Sequence, residues 1–129
     1  MKRVALLTGG GDCPGLNQVI RAVVMRLAPK GYECIGFLEG WRGVLENMTV
    51  PIGIEDVDDL IREGGTMLGS SRTNPFKNAE RDVPKILKAF EANKLHCLVG
   101  LGGDDTLGVA TKLWKEHKLP VVGVPKTID

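Results

Sequence analysis

The stretch 97-CLVGLGGDDTLGVATKLWKEHK-118 decides how this chain folds. Its first six residues, 97–102, are apolar or glycine, as in a strand buried on both faces of a parallel sheet. Residues 106–118 read as a helix with Lys and His in its last turn, where the helix dipole favours cations. Between strand and helix stands the turn 102-GGDDT-106. A glycine pair at such a place commonly admits an anion, because glycine lets backbone N–H groups come close to it. Here the pair is followed by two carboxylates, Asp104 and Asp105, which repel anions. The turn therefore poses a chemical question as well as marking an element boundary.

The same strand–turn–helix pattern recurs before it, and a strand and turn follow it. Residues 3-RVALLT-8 form an apolar run, then 9-GGGDCPG-15, then a helix from Leu16 with Val19, Ile20, Val23, Val24 and Leu27 at helical spacing, stopped by Pro29 and Gly31. Residues 32–38 read as a second strand, followed by the turn 39-EGWRG-43. A short acidic helix is expected over 54–65, a loop over 66-TMLGSSR-72, and a helix over 82–94 with Pro84 in its first turn. The last strand is 120-PVVGVP-125. This alternation predicts one α/β domain over residues 1–129, a doubly wound parallel sheet with helices on both faces. The loops GGGDCPG, EGWRG, GGDDT and 126-KTID-129 each follow the C-terminal end of a strand, the edge where such sheets bind ligands.

Bulk properties exclude several classes of function. The 129 residues carry a net charge of +1, so neither nucleic acid nor an anionic membrane is expected as a partner. Apolar runs are too short to span a bilayer, and the N-terminus lacks the features of a signal peptide. Three cysteines, Cys13, Cys34 and Cys97, suit neither a disulfide framework nor a zinc site. A soluble protein of the cytoplasm is the expectation.

Each motif has a chemical reading and a plainer one. GGGDCPGLN can hold phosphate on glycine N–H groups, or can be a tight turn; Pro14 excludes the dinucleotide fingerprint, and no Gly-Lys-Ser/Thr follows. Arg72 can fork onto phosphate oxygens, or can be a surface arginine. In GGDDT an acid can cap the helix, or can hold Mg²⁺, which bridges carboxylate and phosphate and so removes the repulsion between them. In PKTID an aspartate can take a proton from an alcohol, or the segment can be an exposed turn. Trp41, read as a loop residue, can stack on a ligand or shield the end of the sheet. His96 and His117 read as structural.

Taken together, 7-LTGGGDCPGLN-17, 64-GGTMLGSSR-72, 102-GGDDT-106 and 125-PKTID-129 resemble the phosphofructokinases in identity, order and spacing, and the resemblance spans the chain. It implies the α/β fold of the N-terminal half of those enzymes and phosphoryl transfer to the 1-hydroxyl of fructose 6-phosphate, giving fructose 1,6-bisphosphate. By the same resemblance, Gly10, Gly11 and Gly103 lie against the donor's phosphates and Arg72 stabilises the transferring group. Asp104 serves the Mg²⁺ cofactor, Thr127 supports the phosphoryl group, and Asp129 is the base. Members using ATP have glycine where this chain has Asp105 and Lys126, a pair that resembles the pyrophosphate-dependent branch. The donor implied is pyrophosphate, with ATP as the alternative.

The family motif continues beyond Asp129, and the residues that hold the sugar phosphate are not among these 129. The stretch is expected to be the donor-binding front of a longer homo-oligomeric enzyme and inactive by itself. Arg21 matches one arginine of the family's ADP and phosphoenolpyruvate site, while Met25 and Ile54 replace two others, which implies weak regulation. The readings set against this are a more distant NAD kinase or lipid kinase, and a non-catalytic phosphate-binding module that kept the fold.

Overall fold

The structure, a computed structural model, describes residues 2–9, 16–57, 68 and 75–125. Its centre is strand β1 (Arg3–Thr8), which pairs in parallel with β2 (Glu33–Phe37) on one side and β4 (Leu95–Gly102) on the other. Being paired on both edges and covered on both faces, β1 is buried from Val4 to Thr8. That burial is why its sequence is a continuous apolar run rather than an alternation. β5 (Val121–Pro125) adds to β4 in parallel, and β3 (Thr49–Pro51) adds to β2 antiparallel, giving the order β3-β2-β1-β4-β5.

Side chains leave each strand alternately to the two faces. Val4, Leu6, Cys34, Val99 and Leu101 meet α1 (Leu16–Leu27), through Ile20 and Val24. Ala5, Leu7, Ile35, Phe37 and Leu98 meet α2 (Trp41–Glu46), α4 (Ala79–Asn93) and α5 (Asp104–His117) on the other face. Helices therefore cover both faces, as the alternation of elements predicts. The short α3 (Ile54–Val57) packs against α1; the remainder of the helix expected to Gly65 lies outside the described residues.

Four expectations need correction. The sheet is mixed rather than wholly parallel, because β3 runs antiparallel. Pro51 sits in this edge strand, where its missing N–H is tolerated. The segment read as the turn EGWRG becomes a helix from Trp41, after a turn with positive φ at Glu39 and Gly40. Helix α4 begins at Ala79 rather than Asp82, so Pro84 lies in its second turn, exposed to solvent. Helix α5 begins at Asp104 rather than Thr106 and ends at His117, with Lys118 as its left-handed cap.

Cys34 and Cys97 flank Val4 in the same row of the sheet. They stand two strand spacings apart, roughly 9–10 Å, beyond disulfide reach. Burial raises both thiols above their ordinary range. At the end of the sheet away from the glycine turns, Arg3 pairs with Glu33 and donates to the Asn93 carbonyl at the end of α4. Among the described residues β5 is the last strand on its side of the sheet: Val122 is 52% exposed and the neighbouring Trp114 of α5 54%. Among the described residues no helix is long and apolar enough to cross a membrane.

Two glycines should respond oppositely to alanine. A Cβ on Gly43 would run into the carbonyl of Leu38, whereas one on Gly108 meets open space within a helix. Gly43→Ala is expected to destabilise by about 1–3 kcal/mol and Gly108→Ala to stabilise by about 0.5–1 kcal/mol, read by urea denaturation of the full-length protein. Asp82 is buried and accepts a hydrogen bond from Arg81 Nε at 2.9 Å, which holds its carboxyl below the ordinary range against the opposing effect of burial. A depressed folded value makes the contribution present above the unfolded pKa near 4 and lost as pH falls through the folded one. Thermal melts should show Asp82→Asn less stable than wild type at neutral pH, with the gap closing below about pH 4.

Candidate functional site

The order of strands reverses between β1 and β4. From β1 the chain crosses over α1 to β2 on one side, while β4 lies on the other side and feeds α5 onto the opposite face. The crevice outside the carboxyl ends of these two strands is where an open α/β sheet receives ligands. Register aligns three strand ends there. Thr8 pairs with Leu101, and Gly102 pairs with Pro125. Gly9 then ties the end of β1 to β4 by donating its N–H to the Leu101 carbonyl at 2.8 Å.

Gly103 is the N-cap of α5, in extended backbone, and as glycine it has no side chain with which to cap the helix. Asp104 and Asp105 are its first two residues and both are exposed. The capping reading of the acids therefore gives way: they lie inside the first turn, not before it. Leu107 is the residue whose N–H bonds the Gly103 carbonyl, at 3.0 Å. The N–H groups of Asp104, Asp105 and Thr106 come before that bond, at the positive end of the helix dipole. Two adjacent carboxylates are tolerated here because this end of a helix favours negative charge. Among the described residues neither has a salt-bridge partner.

Of the residues singled out from sequence, Gly103, Asp104 and Asp105 are brought together at the switch edge. Gly10, Gly11, Arg72, Lys126, Thr127 and Asp129 lie outside the described residues. Lys126 follows Pro125, whose partner across the sheet is Gly102. From the segment preceding Arg72 the structure describes Leu68. It is buried over Gly36 and Ile52, and its carbonyl accepts the Glu39 N–H at 2.8 Å. Trp41 is a buried helix residue in the core between sheet and helices, so of its two readings the shielding one stands. His96 is exposed on β4 beside the Tyr32 ring, and His117 ends α5.

Sequence reasoning passed over Thr106. It is 3% exposed, the third residue of α5, and its side chain fills the angle between the two strand ends. A Cβ on Gly9 would collide with its Oγ1, and a Cβ on Gly102 would come within 2.7 Å of the same atom. These two glycines are demanded by the threonine that packs on them. The available signal was the coincidence of a glycine at the end of each of two neighbouring strands.

A protein-family model described as phosphofructokinase matches residues 3–129. The chain belongs to the phosphofructokinase family. It is 54% identical over 127 residues to the pyrophosphate–fructose 6-phosphate 1-phosphotransferase of Dictyoglomus thermophilum, across 98% of this chain and 36% of that protein. It is 48% identical over 129 residues to the ATP-dependent 6-phosphofructokinase of Mycobacterium tuberculosis, across 98% of this chain and 37% of that one. The chain thus spans about a third of the length of these relatives. Among solved structures, the phosphofructokinase of Pichia pastoris superposes with a TM-score of 0.86 at 26% identity, over 99% of this chain and 15% of that one. A pyrophosphate-dependent phosphofructokinase from Marinobacter aquaeolei superposes with a TM-score of 0.81 at 22% identity, over 98% of this chain and 34% of that one, a likeness of fold.

Proposed function

We propose that the full-length protein is a pyrophosphate-dependent 6-phosphofructokinase, transferring a phosphoryl group to the 1-hydroxyl of fructose 6-phosphate, and that this chain is its donor-binding part. The observation that carries the reading is Asp105: a second exposed carboxylate beside Asp104 in the first turn of α5, at the switch edge. The names of relatives such as the Dictyoglomus thermophilum enzyme support pyrophosphate, while the ATP-dependent name at 48% identity keeps ATP as the second reading.

Magnesium suits this edge. Mg²⁺ keeps several waters and takes one or two carboxylates plus substrate phosphate oxygens. Among the described residues no group of three His, Cys, Asp or Glu gathers into a cage, so phosphate and water would complete the shell around Asp104. When bound, the ion offsets negative charge on the donor and lets phosphate lie beside a carboxylate. Asp105 fills the space that a nucleotide's third phosphate would need, and adds like charge against it. Lys126 supplies a point cation to the smaller donor, Arg72 a planar fork to the transferring group, and Gly10, Gly11 and Gly103 backbone N–H donors to its oxygens. Thr127 supports the phosphoryl group and Asp129 accepts the proton of the sugar hydroxyl. Most of the catalysis is then positioning and charge stabilisation, as phosphoryl transfer requires. The sugar-phosphate site belongs to the remainder of the enzyme, a cytoplasmic homo-oligomer in this reading, and residues 1–129 alone are inactive.

The test is a donor comparison on the full-length protein. Wild type should form fructose 1,6-bisphosphate with pyrophosphate in preference to ATP, and Asp105→Gly should raise kcat/KM for ATP by about tenfold or more. Asp105→Asn keeps the size and removes the charge, so a smaller gain with it apportions the two effects. Lys126→Gly should lower kcat with pyrophosphate more than it raises KM. A wild type equally active with both donors, or a donor preference indifferent to Asp105, overturns the assignment. Separately, Asp104→Asn should raise the half-saturating Mg²⁺ concentration by at least about tenfold, seen both in activity and in calorimetric titration of the ion with pyrophosphate.

A further inference from the structure

We infer that Thr106 is a positioning residue, a wedge that sets the spacing between the end of β1, at Gly9, and the acidic first turn of α5. The inference rests on the functional reading above, since it gives those two segments a common substrate.

The geometry is specific. Thr106 touches neither strand through a long flexible side chain; it is short, β-branched and buried, with little freedom at χ1. Its Oγ1 takes the space where a Cβ on Gly9 or on Gly102 would be, and its Cγ2 lies 3.5 Å from where a Cβ on Gly100 would be. One side chain thus rests on three glycines from two strands. A Cβ on Gly102 would also come within 2.8 Å of the Gly9 carbonyl oxygen, so the two backbones approach each other beneath the wedge. Gly9 leads directly into Gly10 and Gly11, and Thr106 lies one turn of helix from Gly103 and two residues from Asp104. Added bulk at residue 106 must shift Gly9, at the end of β1, against the first turn of α5, because the interior is close-packed and the glycines leave no slack. A hydroxyl oxygen is smaller than a methyl group, so the position suits serine or threonine better than valine, although valine has the same shape.

The proposed consequence is confined to the donor side. A misplacement on the order of 1 Å of groups that hold a reacting phosphate can cost about a hundredfold in rate. The sugar phosphate, held by the remainder of the enzyme, should be indifferent to it.

The experiment uses the full-length protein with pyrophosphate, ATP, Mg²⁺ and fructose 6-phosphate. Thr106→Val and Gly9→Ala should each lower kcat by about 10- to 100-fold and raise the KM for the phosphoryl donor, leaving the KM for fructose 6-phosphate within about twofold. Thr106→Ser should retain the most activity of the substitutions at 106. Thr106→Ala removes Oγ1, the atom that the new methyl of Gly9→Ala would strike hardest, so the double variant should exceed Gly9→Ala alone in both kcat and thermal stability. Equal changes in both Michaelis constants, or a double variant no better than Gly9→Ala, would show a general structural role and overturn the inference while the assigned activity stands. A folded wild type that transfers phosphate from neither donor overturns the functional reading, and this inference with it.

Discussion

Everything at the candidate site depends on β1 being paired on both edges. Its six-residue register with β4 and four-residue register with β2 hold it at the centre of the sheet. A central parallel strand has to send its chain over one face, and the neighbouring β4 sends its own over the other. Two points distant in sequence, Gly9 at the end of β1 and the GGDDT turn, are thereby delivered to one crevice. The hydrogen bond from Gly9 to the Leu101 carbonyl extends the pairing one residue past the strand. What the sheet supplies to the chemistry is a fixed starting point for both loops.

The glycines in this crevice divide into two kinds. Gly9 and Gly102 are small because Thr106 occupies the place of their side chains. Gly103 is of another kind: it is the extended N-cap from which α5 starts. A cluster of glycines beside a strand is commonly credited to ligand approach, yet two of these are set by internal packing. Gly36 and Gly43 belong to the first kind as well. Leu68 and Ile52 close over Gly36, and the Leu38 carbonyl lies against Gly43. At these positions glycine is a packing residue.

The layered α/β architecture was legible because its signals are long: apolar runs on the central strands and helical spacing in α1, whose Ile20 and Val24 are buried as expected. What escaped is short or contextual. β3 has three residues and no periodicity of its own; its place comes from pairing with Ile35, Gly36 and Phe37. α2 was concealed by Gly40 and Gly43, which read as turn signals until the carbonyl of Leu38 gives Gly43 a reason to lie within a helix. The start of α5 was placed two residues late because Asp104 and Asp105 are as common before a helix as within its first turn. Helical dihedrals, not residue preference, decide between those positions. The family was readable from four motifs in order, but how Thr106 joins two of them is tertiary information.

The position of the acids within the helix changes how their chemistry has to be described. A carboxylate in a loop can swing away from an incoming anion; a carboxylate at the first or second position of a 14-residue helix is carried on a rigid element. Its charge is favoured there by the same N–H groups and dipole that would otherwise attract phosphate. The helix end therefore presents mixed electrostatics: backbone donors that attract a phosphate and side chains that repel it. In the functional reading, a divalent cation on Asp104 resolves the conflict for one carboxylate, while Asp105 keeps its repulsion for whatever extends past the second phosphate. Two adjacent aspartates can then have opposite consequences for the donor, one recruiting it through a metal and the other limiting its length. In that reading, the spacing between the α5 N-terminus and Gly9 is what would let a difference of one phosphate be felt.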